Sequence, residues 1–219
     1  MERKPFNLFI ARCCVALLTF ALCACQGVSP VFDTFLAAWS PAERNPKFVA
    51  NFEYLQVEFD GHKAYMALGR REVVNGKLHE YWYSAQREMM MLSNGRIQQV
   101  FGMTRELRQV NGEQPAWLSL LKQDQPVVWK RRLDLMPGYR YGVTEIVTGY
   151  RTDRPGHAPG DVTASATWIH ETVKRQEPDD QISTYTQWFA IQEGNVVYSE
   201  QCLAAQMCFK LMPLGFKGS

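Results

Sequence analysis

Two hydrophobic periodicities divide the chain. Between Ser29 and Pro41 the apolar residues Val31, Phe32, Phe35, Leu36 and Trp39 recur at three- and four-residue spacing, which puts them on one face of a short helix. Ser29 supplies its N-cap and Pro30 its first helical position, and Pro41 and Pro46 end it. From Asn51 the spacing shortens to two. Leu55, Val57 and Phe59 alternate with polar residues, and the alternation resumes at Tyr65 and Ala67 beyond Asp60-Gly61. Short segments rich in Val, Ile, Tyr, Phe and Trp continue to Leu211, punctuated by Asn75-Gly76, Asn94-Gly95, Asn111-Gly112 and Glu193-Gly194. Such pairs tolerate the two positive φ angles of a two-residue hairpin turn. Consecutive strands are therefore expected to pair antiparallel, with no βαβ crossover.

The middle is less regular. Residues 114–123, with Pro115, Trp117, Leu118, Leu120 and Leu121, predict a short helix stopped by Asp124 and Pro126. Strands are expected at 127–135, 139–150, 163–174 and 183–190. Pro155, Gly156, Pro159 and Gly160 make 151–161 the longest predicted exposed loop. The outcome is one mainly β, antiparallel domain over 51–219, for which spacing leaves barrel and sandwich equally open.

The N-terminus follows neither period. Arg3, Lys4 and Arg12 flank an apolar run at 13–22, about half the roughly 20 residues that a membrane-spanning helix needs. Leu22-Cys23-Ala24-Cys25 has the pattern of the bacterial lipoprotein box, and a plain secretory signal is the other reading. On the first reading 1–24 is a lipoprotein signal peptide and Cys25 is the acylated first residue. Residues 25–50 then hold the lipidated end, the short helix and a linker. Each buried CH₂ contributes about 0.8 kcal/mol, so several acyl chains give a firm anchor. Gln26, where an Asp would retain the chain elsewhere, resembles the sorting default for the outer membrane. The expected location is its periplasmic face.

Composition then removes whole classes of function. A chain that is 46% hydrophobic and 21% charged is globular, not disordered. Residues 1–24 carry three of its 24 basic and one of its 22 acidic side chains, so 21 of each remain in the mature chain. That balance offers no field to draw it onto nucleic acid, and no nucleic-acid partner is expected. Of six cysteines, only Cys202 and Cys208 stay in the folded part. An even remainder in an oxidising compartment invites a disulfide. A straight strand would hold these residues roughly 20 Å apart, so a bond requires a bend at Ala204-Ala205-Gln206; two packed thiols are the alternative.

No catalytic motif is present. His62, His79, His157 and His170 show no zinc-binding spacing, and there is no nucleophile elbow, phosphate-binding loop or dinucleotide fingerprint. Asp179-Asp180 lies in a polar turn. Met89-Met90-Met91 cannot converge on one ion, because consecutive strand residues face opposite ways, so no metal or cofactor is expected. Lys130-Arg131-Arg132 is split between two faces for the same reason. Tyr81 and Tyr83 share one side of a strand, as do Tyr139 and Tyr141. Exposed, these rings offer the flat apolar faces and polar tips of a carbohydrate contact; buried, they are core.

Three blocks carry a family resemblance. Tyr54-Leu55-Gln56-Val57, Trp82-Tyr83-Ser84 and Asn94-Gly95-Arg96-Ile97 with Gly102 form the first, and 129–134 with Tyr141-Gly142 the second. The third is Gln187-Trp188-Phe189, the Glu193-Gly194 turn and Val196-Val197-Tyr198-Ser199-Glu200-Gln201. In this order behind a lipobox they resemble the YjbF/GfcB family of outer-membrane lipoproteins from exopolysaccharide and group 4 capsule operons. Trp188-Phe189 replaces a Tyr-Trp type of pair, and the two cysteines after Gln201 are local to this chain. The resemblance implies a strongly curved antiparallel sheet or incomplete barrel with a few short helices. It also implies a non-catalytic accessory of polysaccharide assembly or export, whose partners are the membrane, through its lipid, and polysaccharide or export proteins. A lipid-binding carrier with an apolar concave sheet face is the alternative, and a polysaccharide-modifying enzyme is a third class.

Overall fold

The computed structural model describes residues 48–49, 52–162, 164–176, 182–204 and 207–215; the lipobox, Cys25 and the helix expected after Ser29 lie outside them. Among the described residues the chain forms β1 (Tyr54–Phe59), β2 (His62–Val74), β3 (Lys77–Tyr83), β4 (Met89–Ser93), β5 (Arg96–Phe101) and β6 (Glu106–Asn111). A helix, α1 (Trp117–Lys122), leads to β7 (Val127–Met136), β8 (Arg140–Thr152), β9 (Thr167–Gln176), β10 (Ile182–Gln192), β11 (Asn195–Ala204) and β12 (Met207–Leu214). Each strand pairs antiparallel with the next, and β12 returns to β1, so the sheet is a closed barrel. This corrects the expected incomplete barrel or open curved sheet. All six residues of β1 find partners on β12, from Tyr54↔Leu214 to Phe59↔Phe209, and closure satisfies two strand edges that an open sheet would leave bare.

The turns explain the meander. Asp60-Gly61, Asn75-Gly76, Asn94-Gly95 and Glu193-Gly194 all hold two successive positive φ angles, 48° and 78° at Asn94-Gly95, as a two-residue hairpin demands. Gly95 is constrained twice over, because a Cβ there would lie 2.4 Å from Val196 Cγ2. The tip of the β4–β5 hairpin therefore rests on the start of β11. Asn111-Gly112 behaves differently: Asn111 ends β6 and the chain passes into α1 instead of turning straight into β7.

Alternation fills the interior. On β9 Ile169, Glu171, Val173 and Arg175 are buried, as are Phe189, Gln187 and Tyr185, which pair with the first three on β10. The inside is far from purely apolar. Glu145, with no exposed surface, accepts hydrogen bonds from Arg131 Nε at 2.7 Å and Arg175 Nε at 2.8 Å, and from the Tyr185 hydroxyl. Arg175 also donates to the Leu203 carbonyl at 2.6 Å. A second pair, Arg96–Glu171 at 2.6 Å, lies nearer the other end. Burial alone would raise the Glu145 carboxyl, but the Arg131 and Arg175 charges outweigh it and hold the group below its usual range. Burial and the adjacent Glu145 charge push Tyr185 upward, so its hydroxyl stays protonated as a donor.

The α1 helix is too short to stand by itself, and Ala116 gives it no side-chain cap. Packing holds it. Trp117 and Leu120 are buried against Ile169, Phe189 and Ile191. The Trp117 indole donates to the Asn94 carbonyl at 2.8 Å, and the Arg96 guanidinium lies 3.5 Å from its ring centroid. The helix thus plugs the end of the barrel at which the β4–β5 turn sits. Outside, the β8–β9 loop covers Trp168, Ala190 and Tyr198 through Val162, which is only 4% exposed. The 151–161 loop is exposed over most of its length, as expected, and is pinned at its end by Val162, with Arg154 donating to the Pro159 and Val162 carbonyls.

Candidate functional site

One seam of the barrel is loosely joined. The β5 and β6 strands share a single registered pair, Val100↔Leu107, whereas β3 and β4 share five and β9 and β10 share ten. The start of β5 is engaged elsewhere: the Gln201 amide on β11 donates to the Gly95 carbonyl at 2.7 Å and accepts from Ile97 N at 2.9 Å. Beside this seam lies a cleft of about 1190 Å³.

The chemistry of the cleft is neutral and amide-rich. Gln98 and Gln99 from β5, Gln109 from β6 and Gln114 before α1 line it, with the indoles of Trp117 and Trp129. Gln114 Nε2 reaches Gln98 Oε1 across the seam at 3.4 Å. Arg96 is 4% exposed and spends its terminal nitrogens on the Pro115 carbonyl and Glu171. Arg96 Nε, Gln114 Oε1 and Trp129 Nε1 are buried without a protein partner. Unmet polar atoms of this kind are costly in a dry interior, so three of them beside one cleft mark it as a place for hydrogen-bonding company.

The four predicted tyrosines do not form one surface. Tyr81 lines the cleft; its hydroxyl donates to Glu72 at 2.8 Å, a bond that raises its pKa, and the Arg70 guanidinium lies 4.3 Å from its ring centroid. Tyr83 is exposed beside Gly69, where a Cβ would lie 2.6 Å from the tyrosine ring. Tyr139 sits in the β7–β8 turn and Tyr141 at the start of β8, 73% and 64% exposed, and neither touches the cleft. Four strands separate β3 from β8. The basic run divides as alternation requires, with Arg131 on Glu145 inside and Lys130 and Arg132 exposed. Of the methionines, Met90 and Met91 are core. Among the described residues no group of three or more His, Cys, Asp and Glu side chains is placed to hold a metal ion.

A further aromatic row crosses the outside. Tyr150, His170 and Trp188 are register partners on β8, β9 and β10. His170 Nδ1 lies 2.8 Å from the Tyr150 hydroxyl, and its ring centroid is 4.2 Å from that of Trp188. Burial lowers the His170 pKa, which favours the neutral imidazole in this stack.

Cys202 and Cys208 face each other as register partners on β11 and β12, with Cα atoms 3.9 Å apart and their sulfurs bridged. The bend is a full reversal of the chain, since Ala204 pairs with Met207. A closed loop this short contributes about 2 kcal/mol in the chain-entropy model. A Cys202→Ser/Cys208→Ser chain should therefore lose about that much in urea unfolding and keep its native circular dichroism. Two free thiols in the denatured, unreduced mature protein would contradict the bond.

Among solved structures, the hypothetical lipoprotein YmcC from Escherichia coli K12 shares this fold, with a TM-score of 0.59 at 15% identity over 98% of this chain and 97% of that one. No curated protein matches the chain. The profile described as group 4 capsule polysaccharide lipoprotein gfcB, YjbF matches residues 40–212, nearly the whole barrel. With that span matched, the chain belongs to the YjbF family of group 4 capsule polysaccharide lipoproteins.

Proposed function

We propose that the protein is a lipoprotein anchored to the periplasmic face of the outer membrane, acting without catalysis as an accessory in exopolysaccharide or capsule assembly and export. The family match over 40–212 carries this reading. The Leu22-Cys23-Ala24-Cys25 box supplies the anchor, with acyl chains on Cys25 once 1–24 is removed, 25–50 as the tether and 51–219 as the working domain. The barrel interior favours this reading over a lipid carrier. The charges of Arg131, Glu145, Arg175, Arg96 and Glu171 stand where acyl chains would have to run, and burying hydrocarbon against them gains little.

The test is genetic and chemical. Deleting the gene should lower surface polysaccharide, and the native chain should restore it. A Cys25→Ser chain should stay unprocessed or leave the outer membrane and restore little, while mass spectrometry of the native protein finds an acylated Cys25. Normal surface polysaccharide in the deletion strain would overturn the accessory role. An unacylated native chain would overturn the anchor.

A further inference from the structure

We propose that the β5–β6 cleft is a saccharide-binding site that takes a neutral segment of a polysaccharide chain, a proposal that rests on the accessory role above and gives it a location. Three independent observations meet there. The two strands share one registered pair, where the neighbouring β4–β5 and β6–β7 seams share five each. The volume, about 1190 Å³, exceeds the upper end of ordinary small-molecule pockets, about 1,000 Å³. Lastly, Arg96 Nε, Gln114 Oε1 and Trp129 Nε1 lack protein partners.

The lining selects the class of ligand. Four glutamine amides each present a donor and an acceptor side by side, which is what vicinal hydroxyl groups require. The half-buried indole of Trp129 adds flat apolar surface suited to the C–H face of a sugar ring. Charge is balanced: Arg96 is neutralised by Glu171, and the lining includes one Lys77 and one Glu113. A polyanion would find no net attraction there, and a lipid chain would strand the amides. An uncharged polymer rich in hydroxyls matches both features.

The experiment uses the mature lipidated protein in detergent. Its probes are neutral oligosaccharides released by partial acid hydrolysis of the producing cell's own surface polysaccharide, with uronic-acid oligosaccharides for comparison. The expected result is saturable binding of the neutral set, with shifts of the Gln98, Gln99, Gln109 and Gln114 side-chain amide resonances. The Gln98→Ala/Gln114→Ala chain should bind at least tenfold more weakly with an unchanged melting temperature. Gln109→Ala, at an exposed position, should weaken binding severalfold and keeps the test decisive if the double variant folds poorly. Absence of neutral oligosaccharide binding would overturn the cleft. So would preference for the acidic set, or binding that survives these changes and is lost in Tyr139→Ala/Tyr141→Ala or Trp188→Ala. A strain that depends on the protein for its polysaccharide while the cleft fails these tests leaves the accessory role standing. Normal export in the deletion strain removes that role whatever the cleft binds.

Discussion

Glu145→Ala should cost about 3–5 kcal/mol of unfolding free energy, because it leaves the buried Arg131 and Arg175 guanidiniums facing each other with no counter-charge. Both are nearly inaccessible to water, so hydration cannot replace the lost carboxylate. The same group makes stability depend on acid. Its carboxyl lies below the usual 4.5 in the folded chain, so the unfolded chain binds the proton more readily. The stabilisation is thus present above about pH 4.5 and is lost as pH falls through the lowered folded value. Urea titrations of the native chain from pH 7 down to pH 3 should show this loss, and Glu145→Gln should be less stable at pH 7 with a shallower acid slope. A native-like stability for Glu145→Ala would mean that the arginines find other partners.

Trp117→Ala should have an effect of similar size, about 3–5 kcal/mol, the usual cost of truncating a buried tryptophan. The indole is 5% exposed, packs on Phe189 at a centroid distance of 4.7 Å and carries the Arg96 guanidinium on its face. Because α1 has neither length nor a capping side chain, losing this anchor should release the whole turn rather than leave a simple cavity. Amide exchange should then rise across 116–122 and at Asn94, whose carbonyl the indole holds. Unchanged protection there would show that Leu120 alone keeps the plug in place.

Much of the barrel is legible in the chain because its turns are local. Asp60-Gly61, Asn75-Gly76, Asn94-Gly95 and Glu193-Gly194 are read directly as hairpins, and alternation places Arg131 opposite its neighbours. Closure is not legible. β12 carries Pro213, a residue typical of strand edges, and its pairing with β1 joins two ends of the sequence that no local signal connects. The internal charges are hidden for a related reason: Glu145 and Arg175 alternate like solvent-facing residues, and only the register reveals that they meet inside. Gln98-Gln99 and Gln114 read as ordinary polar positions. Their grouping depends on β5 leaving β6 to meet Gln201, which lies more than a hundred positions away. The aromatic pairs marked one of the cleft's residues, Tyr81, because exposure and proximity are tertiary properties that an alternating pattern does not carry.

The β1–β12 contact differs in kind from every other ladder. All the rest join neighbours in sequence, so each costs little loop-closure entropy, while this one brings positions 54 and 214 together and bears the largest such cost in the fold. A molecule opened there exposes two bare strand edges at once, each able to template pairing with another chain. At this seam six residue pairs keep those edges covered, and the Cys202–Cys208 bridge keeps one of them, β12, fastened to β11 when the ring is open.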